Sequence, residues 1–344
     1  MSACLRTQGV FRLCLVASAF FAPLVRAVAE AQPAVIAHES WGAVFAGKQT
    51  AFHFAVTSPA SRQALVAWSL SVDGRVLARR EQSVTVGPGH AAEIETAFEL
   101  PKGKDGVILQ ATLVVSVLAP DGRATLAGIE KPLWVFPDNP LFGRTRWAET
   151  LKLSLFDPAG KTAARLSELK VPYREITRQD SIPGITDGVL LVGEGLSLKE
   201  YRGLASLMNR TAAAGVPVLC LALSEGELIV PTAAESGSCL PAAMHFRRND
   251  IIHELDKRFD ADGWPPDGKA AATALALRGD RGPVMGEIVA DTNTGWPWIE
   301  LVYGRGRLIL CGFPVVAKWQ ESPTPRYLLL RMLEHIAQDV QATN

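Results

Sequence analysis

Asp157 and Glu194 are the residues of this sequence best placed to move a proton. Asp157 ends the apolar run through Leu151, Leu153, Leu155 and Phe156, and Glu194 follows Val189-Leu190-Leu191-Val192-Gly193. Both runs read as strands. Ligands of open α/β sheets bind beyond the carboxyl ends of the strands, near the point where strand order reverses. That rule gathers Asp157, Gly193, Glu194, Gly195 and Ser224 around one cleft, where the two carboxylates can serve as an acid/base pair. Cys220 adds a thiol, but a thiol nucleophile needs a base in reach and the base needs an orienting partner. The sequence offers neither. The bland readings are that Asp157 starts a turn with Pro158, that Glu194 is solvated, and that Cys220 is a small buried hydrophobe within a strand.

Other constellations are weaker. Gly160-Lys161-Thr162 sits between a strand and a helix, where a phosphate-binding loop belongs. That loop needs a further glycine at position 155, which is Leu155, so an ordinary strand-to-helix turn is the better reading. His245, His253, Asp256, Asp260 and Asp262 share one irregular stretch without metal-site spacing, and no metal or cofactor is expected. Trp264, Trp296, Trp298 and Trp319 form an aromatic group. Trp296 and Trp298 flank Pro297 and can project from one face of a strand end, to stack on a sugar ring or to seal a hairpin onto a sheet. Asn209-Arg210-Thr211 has the glycosylation pattern within a predicted helix.

The elements that must position these residues change character midway. From 33 to 137 the pattern has period two. Phe52, Phe54 and Val56 alternate with smaller or polar residues, as do Val66, Trp68, Leu70 and Val72. Asp73-Gly74 then separates Val72 from Arg75-Val76-Leu77-Ala78, the strongest short-range hairpin signal. Ala111, Leu113, Val115 and Val117 make another strand, Asp121-Gly122 another turn, and Leu133-Trp134-Val135-Phe136 closes the series. Short strands at this spacing predict an Ig-like β-sandwich.

After Pro137-Asp138-Asn139-Pro140, strands alternate with helices through 138–344. Lys161–Lys170 predicts a helix and Arg174-Glu175-Ile176 a short strand. Ser197-Leu198-Lys199-Glu200 reads as a capping box before a helix carrying Tyr201, Leu204, Leu207, Met208 and Thr211. Val216–Ala222 is a further buried strand. Residues 223–273 read as irregular, with a helix near Asp250–Arg258. Strand signals return at Ala274–Leu277, Val284–Val289, Trp298–Tyr303 and Arg307–Cys311, and residues 323–340 form a closing helix. The order predicts a doubly wound α/β domain.

The α/β half, with its run Val216-Pro217-Val218-Leu219-Cys220-Leu221-Ala222, resembles the class I glutamine amidotransferase-like fold over about residues 148–225 and 298–340. Domains of that kind also occur as non-catalytic appendages of glycoside hydrolases and β-galactosidases. In active members a cysteine sits on a sharp strand-to-helix elbow. The resemblance places Ala222 at the nucleophile position and Ser224 where a glycine is expected, with Cys220 two residues early. Where the family has His-x-Glu, this chain reads Gly312-Phe313-Pro314-Val315. Gly193-Glu194-Gly195 matches the place where such folds present oxyanion-hole amides. The resemblance implies the fold and argues against the amidotransferase chemistry.

Composition bounds the remaining classes. The 344 residues carry 35 basic and 35 acidic side chains, and no basic excess suggests nucleic acid. Arg6 and Arg12, the apolar run Leu13–Val25, and small residues at Ala27, Ala29 and Ala31 predict a secretory signal over 1–29 and export to the periplasm or beyond. No membrane span is expected after its removal. Cys220, Cys239 and Cys311 are too few for a disulfide framework, although Cys220 and Cys239 can pair. The sequence therefore predicts an exported binding or interaction protein, accessory to polysaccharide handling, with a carbohydrate or an envelope protein as partner. The alternative is a glycoside hydrolase-like enzyme using Asp157 and Glu194. It requires both carboxyl groups in one pocket within about 10 Å.

Overall fold

The structure is a computed structural model and describes residues 32–230, 239–270, 276–279, 288–289 and 296–342. The predicted signal at 1–29 lies outside the described residues, as do most of the strands predicted at 274–277 and 284–289. The fold is mixed α/β.

The first half holds β1 (Ala34–Ala37), β2 (Ala43–Phe45), β3 (Gln49–Thr57), β4 (Arg62–Val72), β5 (Arg75–Val86), β6 (Ala92–Glu99), β7 (Leu109–Leu118) and β8 (Thr125–Phe136). They form two sheets, β1-β3-β6 and β2-β8-β7-β4-β5. The period-two alternation aims one side of each strand inward. Phe52, Phe54, Ile94 and Phe98 from one sheet meet Val66, Leu70, Leu113 and Val115 from the other in one buried core. The β4–β5 hairpin turns on Asp73 and Gly74, whose φ angles of 48° and 77° are both positive. A two-residue turn of matching twist requires that conformation at both positions, and the Asp-Gly pair tolerates it.

The second half runs α1 (Thr145–Thr150), β9 (Ser154–Phe156), α2 (Lys161–Glu168), β10 (Arg174–Glu175), β11 (Leu190–Val192), α3 (Leu204–Ala213), β12 (Val218–Cys220), β13 (Glu227–Val230), β14 (Ala243–Arg247), α4 (Asp250–Leu255), β15 (Ala276–Gly279), β16 (Ile288–Val289), β17 (Trp298–Val302), β18 (Arg307–Cys311) and α5 (Pro323–Ala342). Seven of the strands make one sheet in the order β10-β9-β11-β12-β18-β17-β14. The first five run parallel, and β17 and β14 are antiparallel additions. Strand order reverses between β9 and β11. The parallel strands are apolar on both faces because both faces are covered. Leu190, Val192, Val218 and Leu308 pack with Leu204, Met208 and Ala212 of α3. Leu155, Leu191, Leu219 and Ile309 pack with Leu166 of α2 and with Leu328, Met332 and Leu333 of α5. A second, small sheet is ordered β13-β15-β16.

Three local expectations are corrected. The strand predicted from Leu151 begins at Ser154, because Leu151 caps the end of helix α1 and Lys152 takes a positive φ of 45°. The capping box does not open a helix. The Ser197 hydroxyl accepts the Glu200 N–H at 3.3 Å but donates to Glu225 at 2.8 Å, and α3 starts only at Leu204, after Gly203 at φ +89°. Residues 223–273 contain strands β13 and β14 rather than irregular chain alone.

Gln32 to Asn344 forms one compact unit. Phe136 of β8 packs on Phe259 and Tyr327, with ring centroids 6.0 and 4.7 Å apart. The Tyr327 hydroxyl donates to the Pro137 carbonyl at 2.9 Å, and Arg326 donates to Asp138 O at 3.0 Å while stacking on Phe45. Asp260 accepts from the amides of Gly42 and Ala43. Helix α5 thus holds the linker between the two halves. No described helix is long and apolar enough to cross a membrane.

Candidate functional site

A pocket lies at the strand-order reversal, and of the five residues expected around a cleft there, Glu194 and Gly195 line it. It measures about 490 Å³ and is lined by Gly160, Lys161, Arg165, Glu194, Gly195 and Ala317. It lies at the carboxyl ends of β9 and β11, as the topology requires.

The carboxylate that lines it is already occupied. The Glu194 carboxylate accepts the N–H of Val316 at 2.7 Å and that of Ala317 at 2.8 Å. Burial pushes its pKa above the usual carboxylate range, and those two amides and Lys161 pull it back. Asp157 Oδ2 accepts the Ala163 N–H at 2.8 Å, which caps the first turn of α2. Its Oδ1 accepts no hydrogen bond among the described residues and lies against Gly193, where a Cβ would come within 2.5 Å of it. Asp157 does not line the pocket, so the two carboxylates do not converge on a shared space.

The backbone amides are taken up as well. Gly193 N–H donates to Phe156 O at 2.9 Å, Glu194 N–H to Thr162 Oγ1 at 2.9 Å, and Gly195 N–H to Ala222 O at 2.7 Å. An oxyanion hole needs free donors aimed at the reacting oxygen. Ser224 is exposed, and its amide is bonded to Leu196 O. Thr162, singled out in the Gly-Lys-Thr run, works instead as the acceptor that fixes the Glu194 amide. That role could not be read locally, because the two residues are 32 positions apart.

Cys220 is fully buried in β12, and burial drives its thiol well above the ordinary value. Cys311 is buried beside it and pushed up to about 12 for the same reason. A thiol held protonated is neither nucleophile nor metal ligand. The elbow that the resemblance implies is not formed, since β12 leads through a loop into β13 rather than into a helix. Cys220, Cys239 and Cys311 are all free thiols, so the Cys220–Cys239 pairing is not made.

The tryptophans separate. Trp264, Trp298 and Trp319 are fully buried, Trp264 donating to Asp260 O at 2.8 Å. Trp296 is half-buried and packs beside the core opposite to the one that takes Trp298. The two do not share a face, because Trp296 precedes the start of β17 and is outside its alternation. The Trp296 ring lies 6.0 Å from Phe246 and carries the Arg248 guanidinium 4.9 Å above it. Sequence reasoning missed Arg248 and Phe246, since strand β14 that brings them there was read as irregular. Of the His/Asp stretch, Asp256 is bonded to Arg258 and Arg331, and the neighbouring Asp250 is bonded to Arg247. Asn209 is buried in α3, with its amide bonded to Ile229 O and Tyr303 Oη, and so is closed to glycosylation.

No family model matches the chain, and no curated protein matches it in sequence. Among solved structures, the sporulation control protein Spo0M from Bacillus subtilis aligns at 15% identity over 34% of this chain and 54% of its own, with a TM-score of 0.23. The alkylpurine DNA glycosylase AlkC from Pseudomonas fluorescens aligns at 14% identity over 31% of each chain, with a TM-score of 0.23. A cycloisomaltooligosaccharide glucanotransferase from Paenibacillus sp. aligns at 10% identity over 55% of this chain and 28% of its own, with a TM-score of 0.26. The chain therefore spans 54%, 31% and 28% of the lengths of these proteins. Likenesses of this size say nothing about its fold or its function.

Proposed function

We propose that this chain is an exported, non-catalytic binding or interaction protein, accessory to polysaccharide handling. In this reading an Ig-like sandwich precedes a doubly wound, amidotransferase-like α/β domain that has lost its reactive groups. One observation carries the non-catalytic part. At the strand-end cleft the Glu194 carboxylate and the amides of Gly193, Glu194 and Gly195 are all engaged in holding the fold. A catalytic carboxylate must exchange a proton with substrate, whereas one receiving two backbone N–H bonds in a buried setting is a structural acceptor. The strand order, with its reversal beside this cleft, supports the doubly wound assignment. The carbohydrate element comes from the resemblance to appendages of glycoside hydrolases, and the signal-like N-terminus supports export.

The test is a panel of polysaccharides and oligosaccharides, assayed for both binding and turnover with the purified protein. Binding without product release supports the reading. Turnover that falls on Glu194→Gln substitution would establish the hydrolase alternative in its place. Fractionation of the native host checks export, since a cytosolic full-length chain would contradict it.

A further inference from the structure

We infer that the pocket between β14 and β17 takes the carboxylate of an acidic sugar, such as a uronate unit of a charged polysaccharide. The inference deepens the proposed function and rests on its carbohydrate element. The pocket measures about 560 Å³ and is lined by Phe246, Arg247, Arg248, Asn249, Asp250 and Trp296. That size falls within the range of about 300–1,000 Å³ typical of small-ligand sites. Because β14 is antiparallel to β17 and β17 to β18, the end of β14 and the start of β17 lie at the carboxyl edge of the parallel strands. The pocket therefore opens along the same edge as the strand-reversal cleft, but at the opposite side of the sheet, and uses none of its residues.

Two arginines adjacent in sequence are treated differently there. Arg247 is paired with Asp250 at 2.8 Å and with Glu254, so its charge is answered within the fold. The Arg248 side chain is exposed and stacks over the Trp296 ring, and among the described residues its guanidinium meets no carboxylate or other acceptor. Stacking fixes the plane of the guanidinium and leaves its N–H edge open, the arrangement that binds a carboxylate through two parallel hydrogen bonds. The indole also packs against the tilted Phe246 ring, 6.0 Å away, so the platform is set before a ligand arrives. Asn249 brings a carboxamide, a donor and acceptor suited to a sugar hydroxyl. One open cation with an aromatic wall and an amide fits a singly charged, hydroxyl-rich ring better than a phosphate-dense polymer, which would call for a cluster of cations.

Isothermal titration of the full chain with trigalacturonic acid, and with its fully methyl-esterified form, tests the assignment. The acid form should bind, with affinity falling as salt is raised. Esterification or Arg248→Gln should each weaken binding by about tenfold or more. Arg248 is on the surface, so the variant retains the fold, and Trp296→Ala provides an independent loss. Equal binding of acid and ester, wild-type affinity in Arg248→Gln, or no binding of the acid would each overturn the inference. Equal binding of acid and ester leaves the carbohydrate-binding reading standing. Appearance of cleaved sugar in the same cell would instead remove the non-catalytic reading while leaving the carboxylate pocket intact.

Discussion

The Asp260 carboxylate accepts the backbone N–H of Gly42 at 2.7 Å, joining residues 218 positions apart. Its second oxygen takes the Ala43 amide at 3.0 Å. These bonds tie the start of β2 to the segment between α4 and Trp264, and Trp264 donates back to the Asp260 carbonyl. Asp260 therefore joins the two halves at their junction, beside the contacts of Tyr327 and Arg326.

That position makes the junction sensitive to pH. Burial lifts the Asp260 carboxyl to about 6, against the pull of the two amides, Lys131 and His253. An acid raised in the native state adds stability that is complete below its unfolded pKa of about 4 and is lost as pH climbs toward its native value. Asp260→Asn cannot titrate. As pH falls from about 6.5 to 4, the wild type should gain on this variant by on the order of 2 kcal/mol. Urea unfolding of both proteins at pH 4.5 and 7 measures the difference. A difference that stays constant with pH would mean the carboxyl is not desolvated.

Glu194 should behave as a structural acceptor. Glu194→Ala leaves the amides of Val316 and Ala317 without a partner and should cost about 2–4 kcal/mol. Glu194→Gln retains one acceptor oxygen and should cost less than half as much. Denaturant midpoints with an unchanged slope would report this directly. An alanine variant as stable as wild type would free Glu194 for a role in the cleft.

Gly193 and Asp157 should be energetically coupled. A Cβ at Gly193 would lie 2.5 Å from Asp157 Oδ1 and 2.8 Å from its Cβ. Gly193→Ala should therefore destabilise by about 2–3 kcal/mol in the wild type. The same change in an Asp157→Gly background should cost at least about 1 kcal/mol less, even though that background has already lost the cap on α2. Additive effects in the double-mutant cycle would place the strain elsewhere.

Thiol labelling offers a simple check on Cys220. In a chain starting at Gln32, one thiol should react quickly with a disulfide reagent, that of Cys239, which is partly exposed. Cys220 and Cys311 should react only after unfolding, because burial keeps both protonated and out of reach. Rapid labelling of Cys220 in the native state would reopen the nucleophile reading.

Local rules were legible where local chemistry decides. Asp73-Gly74 reveals its hairpin because the turn constrains those two positions and little else. The parallel strands were legible as apolar runs because both sheet faces are covered. The misreadings share a cause in distant partners. Ser197 looks like a helix cap from its next three residues, yet its hydroxyl donates to Glu225, 28 positions on. Glu194 reads as a solvated acid until α2 and the Val316–Ala317 turn close over it. Strand β14 is nearly invisible because it lies at a sheet edge with His245 exposed, so it lacks both a continuous apolar run and a clean alternation. The pocket's position follows from topology, but the bonds that engage the Glu194 carboxylate and its neighbouring amides are encoded by no motif.

The clasp of Tyr327 and Arg326 on the linker also sets an order of events during synthesis. The β-hairpins of the first half pair neighbours in sequence and can close as soon as they emerge. The hydroxyl that receives them at Pro137 arrives 190 residues later. Until then Phe45 and Phe136 present an uncovered aromatic face, a transient docking target for holding factors and the point at which premature release would invite aggregation.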